Sequence, residues 1–172
     1  MDNTVSPGKS SGRLLAILLW ISLVSGCVIA VLSLIEEICL AQACRDTLSF
    51  TFFGFSLGWV GVAYFGLILM VLALRNRFTP MRLLLSALVF SGIGTEFRLL
   101  WIQKFIIGAW CPFCVSIACT LFVAATLLIL ENLQLSRSRE QSGKCFLTWL
   151  ALMLPMTGIG FVVAWLFVRQ LV

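Results

Sequence analysis

The seven cysteines of this 172-residue chain are its most reactive side chains, and four of them form two closely spaced pairs. Cys111-Pro112-Phe113-Cys114 is a C-x-x-C motif, and four residues separate Cys39 from Cys44. Two cysteines three positions apart on a helical turn lie close enough to form a disulfide. The chain has no histidine, which excludes Ser-His-Asp catalysis, a histidine general base and histidine metal ligands. The sequence therefore predicts thiol chemistry.

Pro112 indicates that the C-x-x-C motif lies at the start of a helix. A proline at the first helical position costs no hydrogen bond, because the N–H that it lacks would have no partner there. The free backbone N–H groups and the dipole of such a helix end stabilise a thiolate. We therefore expect a reactive, reversible pair and no metal. The alternatives are two structural disulfides, or a zinc site built from four thiolates.

The composition indicates where these cysteines are held. Apolar residues make up 61% of the chain and charged residues 11%, whereas an ordinary soluble domain is about a quarter charged. A membrane-spanning helix needs roughly 20 apolar residues. Five runs meet that need, at about 14–35, 54–74, 83–103, 112–131 and 146–168. We predict one all-α membrane domain over 1–172, with a four-helix transmembrane bundle, a fifth transmembrane helix and a cytoplasmic tail at 1–12.

Basic residues predict how the chain is oriented. Eight lysines and arginines fall on one side of the predicted membrane, and three fall on the other: Arg45, Lys104 and Arg169. Because cytoplasmic connections carry the excess of such residues, we expect a cytoplasmic N-terminus, a periplasmic or extracellular C-terminus and an inner-membrane location. The first run is too long for a signal-peptide core and predicts a retained helix. The net charge of +5 then reflects topology, and nucleic-acid binding is excluded because the basic residues form no patch.

In this topology both cysteine pairs face the oxidising side, where disulfides persist. A thiolate of one pair can attack a disulfide of the other and pass two electrons onward. The other three cysteines are expected to be packing or bystander thiols: Cys27, Cys119 and Cys145. A carrier that exports reductant would need thiols inside the membrane that both faces can reach, and only Cys27 and Cys119 lie within spans.

The third apolar run contains two charged residues, Glu96 and Arg98. Ionisable residues inside a membrane often mark a functional site, so Glu96 either lines a site or makes an internal polar contact. Arg98 is expected to extend to the membrane interface. The two side chains are two positions apart, point to different faces and should not pair. Gly54, Gly58 and Gly61 are expected to permit close helix packing rather than to contact a ligand.

Three stretches of the sequence form a longer pattern. The first is the pair Cys39 and Cys44, followed by Leu48-Ser49, and the second is Phe53-Gly54 with Gly61 and Tyr64. The third is Gly108-Ala109-Trp110-Cys111-Pro112-Phe113-Cys114, preceded by the segment 97–107. In this order, over about residues 15–130, they resemble the vitamin K epoxide reductase family. The resemblance is to its bacterial thiol-oxidising members without a fused thioredoxin-like domain.

This resemblance implies a role for each of the four cysteines. Cys39 would exchange disulfides with a reduced thioredoxin-like protein, and Cys44 would carry the electrons to Cys111. Cys114 would lie against a quinone, either ubiquinone or menaquinone, and deliver electrons to it. Because the chain ends at Val172 without such a domain, the partner is expected to be a separate periplasmic or extracellular protein.

The resemblance also implies a set of quinone-binding residues. Ser49 or Thr51 would supply the loop hydroxyl that hydrogen-bonds the quinone, with Ser49 preferred. Apart from the resemblance, Glu96 and Phe113 are also expected to bind the quinone. Ala118 stands where the animal enzymes have a tyrosine, which favours plain quinone reduction over epoxide reduction. The alternative function is a non-enzymatic membrane scaffold, or a transporter subunit, whose outer loops carry structural disulfides.

Overall fold

The structure is a computed structural model of the chain, and it describes residues 7–39, 50–52, 55–75, 77–108, 110–137 and 142–170. The described part contains five α-helices and three short strands. The helices are α1 (Pro7–Cys39), α2 (Leu57–Leu74), α3 (Thr79–Ile102), α4 (Pro112–Arg137) and α5 (Ser142–Phe167). A π-helical turn, Gln103–Ile107, extends the end of α3.

All five helices are long and apolar enough to cross a membrane, which confirms the all-α membrane class. A helix satisfies its own backbone hydrogen bonds, so it is the element that apolar runs of this length form inside lipid. α3 begins at Thr79, before its apolar run, because Pro80 lies at the first positions of the helix, where proline is favoured. α2 begins at Leu57 rather than at residue 54, because strand residues precede it.

The first four helices form a closed ring. α1 packs against α2 and α4, and α3 packs against the same two helices. The core inside the ring takes fully buried side chains from each helix, including Leu23, Phe65, Val89 and Leu121. α5 lies outside the ring, where it packs mainly along α3. This arrangement agrees with the predicted four-helix bundle and additional fifth helix.

α3 and α5 approach each other at backbone distance. A Cβ atom on Gly94 would overlap the carbonyl oxygen of Thr157, and one on Gly160 would overlap that of Ser91. Such contacts require residues without a side chain. The glycine expected to pack closely in α2 does not do so, because a Cβ on Gly61 would meet its nearest neighbour at 3.8 Å, an ordinary contact. Backbone-to-backbone contact therefore occurs between α3 and α5, whereas Gly26 and Gly92 lie against the side chains of Phe65 and Tyr64.

A small antiparallel sheet covers the end of the bundle where α2 begins and α5 ends. Its strands are β1 (Phe50–Phe52), β2 (Phe55–Ser56) and β3 (Val168–Gln170), in the order β2-β1-β3. Thr51 lies opposite Ser56 on one side and Arg169 on the other. The sequence did not predict this sheet, because strands of two or three residues show no alternating pattern. It ties the start of α2 to the end of α5.

Candidate functional site

A cavity of about 270 Å³ lies inside the helix ring, next to the start of α4. All five helices contribute to its wall, which is mainly apolar. Ligand pockets typically have volumes of about 300–1,000 Å³ and a few placed polar groups on an apolar wall, so the cavity suits a small, mainly apolar group. The side chains on its wall that can do chemistry are Cys111, Cys114, Glu96 and Tyr64.

The two C-x-x-C cysteines meet at this wall. Cys111 is buried and immediately precedes α4, and its carbonyl oxygen accepts a hydrogen bond from the N–H of Val115 at 3.2 Å. Pro112 is the first residue of the helix, as expected. Cys114 lies one turn further on, and its side chain is within hydrogen-bond reach of the Cys111 side chain. The motif therefore has the predicted position at a helix N-terminus, with both thiols on the cavity.

Gln103 is a residue of this site that sequence reasoning missed. Its side chain is fully buried, and its Oε1 accepts a hydrogen bond from the backbone N–H of Cys111 at 3.2 Å. Its amide also interacts with the Cys114 side chain, although Nε2 has no hydrogen-bond partner of good geometry among the described residues. Gln103 thus holds the backbone of one cysteine and faces the thiol of the other. The sequence gives one indication of this role: Gln103 is an uncharged polar residue at the end of an apolar run, eight residues before Cys111.

The π-helical turn after α3 sets the position of Gln103. The turn is closed by a hydrogen bond from the N–H of Gly108 to the carbonyl oxygen of Gln103, at 2.8 Å. Gly108 adopts a φ of +73°, a left-handed conformation that favours glycine at helix ends. π-helical turns shift the register of a helix and are frequent at functional sites. Here the turn places an amide of α3 beside the first turn of α4.

Glu96 lies on the α3 side of the cavity wall. Its Oε2 atom is buried and has no hydrogen-bond partner among the described residues. The carboxyl group interacts electrostatically with Cys111, Cys114 and Tyr64. An unsatisfied buried polar group costs about 1–3 kcal/mol, and more when it is charged. Of the two expectations for Glu96, the structure fits the one in which it lines a site.

The hydroxyl groups around the cavity are already committed to backbone carbonyls. Tyr64 Oη donates to the carbonyl oxygen of Leu88 at 2.6 Å, and Ser33 Oγ donates to that of Ala30 at 2.9 Å. Thr95 Oγ1 lies within donating distance of the carbonyl oxygens of Ser91 and Gly160. The Oε2 atom of Glu96, by contrast, has no hydrogen-bond partner among the described residues.

Several predicted site residues lie wholly or partly outside the described residues. Cys39 ends α1, but its side chain is outside the described part, as are Cys44 and Ser49. The backbone of Thr51 belongs to β1, and its side chain is likewise outside. The first cysteine pair and the loop hydroxyl therefore stay predictions. The structure brings together the other four predicted residues, which all line the cavity: Glu96, Cys111, Phe113 and Cys114.

Two of the glycines expected to permit helix packing have a different position. Gly58 and Gly61 both lie on the wall of the cavity, on the α2 side. The lack of a side chain at these positions leaves room inside the ring rather than bringing two helices together. Gly54 is outside the described residues.

Arg98 lies beside two exposed tryptophans, and its expected extension to the membrane interface stays a prediction. Its guanidinium carbon lies 4.6 Å from the ring centre of Trp101 and 4.0 Å from that of Trp165. Aromatic faces attract a guanidinium at such distances. Arg98 therefore joins α3 to α5 through two indole rings, and no ion pair with Glu96 occurs among the described residues.

Of the remaining cysteines, two lie away from the cavity, and the side chain of the third is outside the residues that the structure describes. Cys27 is half-buried and packs against the core of the ring, which agrees with a packing role. Cys119 is exposed on α4. The side chain of Cys145 lies outside the described residues.

The opposite end of the bundle contains a second, smaller cavity of about 200 Å³. Arg75 Nη1 donates to Glu131 Oε2 at 3.1 Å on its wall, and the Arg75 side chain is only 5% exposed. Arg82 lies on the same wall. This end has paired charges and no cysteine among its lining residues.

No protein-family model, curated protein or solved structure matches the chain. The chemistry of the site therefore rests on its own residues. They are a pair of thiols at a helix N-terminus, an amide that holds them, an unpartnered carboxyl oxygen and an apolar cavity.

Proposed function

We propose that the protein is a membrane thiol:quinone oxidoreductase that reoxidises a thioredoxin-fold partner and so supports disulfide formation. The observation that carries this proposal is the C-x-x-C pair, Cys111 and Cys114, on the wall of an apolar cavity inside a membrane-spanning bundle. An electron acceptor dissolved in the bilayer can reach such a site, and a quinone is apolar, flat and accepts two electrons. The resemblance to the vitamin K epoxide reductase family supports the same reaction.

The proposed reaction converts a partner dithiol and a quinone into a partner disulfide and a quinol. A partner thiolate attacks a Cys39–Cys44 disulfide at Cys39, and the second partner thiol then releases the oxidised partner. Cys44 attacks a Cys111–Cys114 disulfide at Cys111, and Cys114 is released as a thiolate. Cys39 then attacks Cys44 in the Cys44–Cys111 mixed disulfide, which restores the Cys39–Cys44 disulfide and releases Cys111 as a thiolate, and both thiolates of the second pair take up the protons given up by the partner. Each step is a thiol–disulfide exchange that passes two electrons onward. The dithiol of Cys111 and Cys114 finally gives two electrons to the quinone.

The residues around Cys114 suit it for this last step. It lies in the first turn of α4 with its side chain on the cavity wall, where a quinone ring can contact it. Gln103 holds the backbone of Cys111 and faces the Cys114 side chain. The apolar wall excludes water from the reacting thiol, so charge interactions there are strong.

The quinone-binding set is proposed to include residues both inside and outside the description. Glu96 and Phe113 line the cavity, where they can contact a ring held against Cys114. Ser49 or Thr51 is proposed to close the site from the loop between α1 and α2. The cavity volume of about 270 Å³ suits the ring of a quinone rather than its whole tail.

The orientation is proposed from the charges and tryptophans at the two ends. Arg75, Arg77 and Arg82 lie around the connection between α2 and α3, at the end away from the C-x-x-C motif. Such basic connections mark the cytoplasmic side. Trp59, Trp101, Trp110 and Trp165 are exposed near the cysteine end, as in an interfacial aromatic belt. The cysteine end would then face the periplasm or the cell exterior from the inner membrane.

The proposal is tested by coupled turnover of the purified protein in lipid nanodiscs. With a short-chain ubiquinone or menaquinone analogue and a reduced thioredoxin-fold protein, we expect one quinol for each partner disulfide formed. Thiol trapping should reveal Cys39–Cys44 and Cys44–Cys111 bridges that interconvert when quinone is removed. Bridges that ignore quinone, together with no quinol formation, would contradict the proposal and favour a scaffold with structural disulfides.

A further inference from the structure

We infer that Glu96 carries a proton between the C-x-x-C thiols and the quinone, an inference that rests on the proposed function. Reduction of a quinone to a quinol adds two protons as well as two electrons. The wall of the cavity is mainly apolar, so few of its side chains can carry these protons. The structure places a carboxyl group on the same cavity wall as both thiols.

The surroundings of Glu96 fit a proton carrier better than a structural polar contact. Its Oε2 atom is buried, lacks a hydrogen-bond partner among the described residues and belongs to a residue of the cavity wall. Native proteins satisfy nearly all buried polar atoms, and the exceptions commonly have a catalytic role or bind a ligand. The carboxyl also interacts electrostatically with Cys111 and Cys114. The carboxyl of Glu96 therefore has an oxygen without a hydrogen-bond partner and shares the cavity wall with both thiols.

The other polar groups near the cavity do not serve this purpose as well. The chain has no histidine, and the amide of Gln103 does not exchange protons as an acid or base. The Tyr64 hydroxyl donates its hydrogen to Leu88. The guanidinium of Arg98 lies over Trp101 and Trp165. The thiols aside, Glu96 is the acidic residue of the described wall that has an oxygen without a hydrogen-bond partner.

The proposed step balances without a further reactant. The Glu96 carboxylate takes the proton of one thiol, and the resulting thiolate supplies electrons to the quinone ring. The carboxylic acid then returns this proton to a quinone oxygen, and the second thiol supplies the other proton. Two S–H bonds break, one S–S bond forms between Cys111 and Cys114, and two O–H bonds form on the quinol. Glu96 ends in its starting state.

The test is the rate at which the pre-reduced protein converts a quinone analogue to quinol after rapid mixing. Glu96→Gln keeps the shape and removes the proton chemistry, so we expect a rate about 10²-fold lower, the usual effect of a general acid–base group. Binding of the quinone, measured by quenching of tryptophan fluorescence, should change by less than about threefold. The matched control is Glu131→Gln, which alters the other intramembrane glutamate and should leave the rate unchanged.

Each other outcome has a definite meaning. A wild-type rate in Glu96→Gln would overturn the inference and leave the proposed function intact. Loss of quinone binding in proportion to loss of rate would also overturn it, because Glu96 would then be a binding residue. No quinol from the wild-type protein would overturn both proposals. If Glu96→Gln does not fold, Glu96→Asp and Glu96→Ala decide: a rate recovered in Glu96→Asp and lost in Glu96→Ala supports the inference, and equal rates in the two variants contradict it.

Discussion

The two glutamates inside the membrane-spanning segments, Glu96 and Glu131, lie toward opposite ends of the bundle and in contrasting surroundings. Glu131 accepts a hydrogen bond from Arg75 at 3.1 Å, so the two charges neutralise each other. Glu96 has a buried Oε2 without a partner among the described residues, on a wall shared with two thiols. Both occupy helices of the same ring, so membrane location alone does not explain the difference.

The contrast separates a structural role from a chemical one. A buried ion pair is satisfied within the fold, and removal of one partner leaves the other as an uncompensated charge. An unpartnered carboxyl adds no comparable stability, because its oxygen has given up water without gaining a hydrogen bond. Substitution of Arg75 or Glu131 should therefore change stability, whereas substitution of a residue beside Cys111 and Cys114 should change activity.

The largest expected effect is loss of activity from the thiols themselves. Cys114→Ser removes the sulfur proposed to reduce the quinone, so quinol formation should fall by at least about 10³-fold. Thermal unfolding in detergent should stay close to that of the wild type, because serine replaces sulfur with oxygen at a half-buried position. The matched control is Cys119→Ser, at an exposed site five residues along the same helix, which should retain full activity. Quinol formation by Cys114→Ser at the wild-type rate would contradict the proposal that Cys114 reduces the quinone.

The next effect concerns stability at the opposite end. Glu131→Ala leaves the guanidinium of Arg75 buried without its carboxylate, so the free energy of unfolding should fall by about 3 kcal/mol. Glu96→Gln should change that free energy by less than about 1 kcal/mol, because no ion pair is broken. Unfolding of both variants in mixed micelles, titrated with a denaturing detergent, provides the comparison. A larger loss of unfolding free energy in Glu96→Gln than in Glu131→Ala would show that Glu96 has the structural role, and it would contradict the difference between the two glutamates.

A smaller effect is expected at Gln103. Gln103→Leu removes the acceptor of the Cys111 N–H and should lower the rate of quinone reduction about tenfold, which corresponds to roughly 1.4 kcal/mol. The KM for quinone should change little, and alkylation of Cys114 by iodoacetamide should slow, because Gln103 acts through the thiols. Gln134→Leu alters an exposed glutamine on α4 and is the control. An unchanged alkylation rate would restrict Gln103 to a packing role.

The bundle itself was predictable because bilayer thickness sets the length of an apolar helix. The start of α4 was also predictable, since Pro112 fits the first helical position and little else in an apolar run. The position of Glu96 on the cavity wall was not predictable, because it depends on how the helices of the ring meet around the cavity. The packing role expected of Gly61 was wrong for the same reason: Gly61 lies on the cavity wall with room for a Cβ, whereas Gly94 and Gly160 make close backbone contacts.

Neither the position of Gln103 nor the small sheet was predicted from the sequence, and the two have different physical reasons. A π-helical turn begins at Gln103 and changes the angular position of each following side chain, so a regular helical period does not anticipate that Cys111 lies beside the Gln103 amide. Gly108 is the visible trace of this irregularity, since its φ of +73° ends the turn. The strands of the sheet pair residues far apart in sequence, Phe50–Phe52 with Val168–Gln170, and such pairing leaves no local pattern.

The most direct test of the central claim is a single turnover without any partner protein. The fully reduced protein in nanodiscs is mixed with a quinone analogue in the absence of oxygen, quenched with an alkylating agent and mapped by mass spectrometry. We expect one quinol for every two thiols lost, with the first disulfide between Cys111 and Cys114. Quinol without that disulfide, or a Cys111–Cys114 disulfide that forms without quinol, would contradict the assignment of this pair as the quinone-reducing centre.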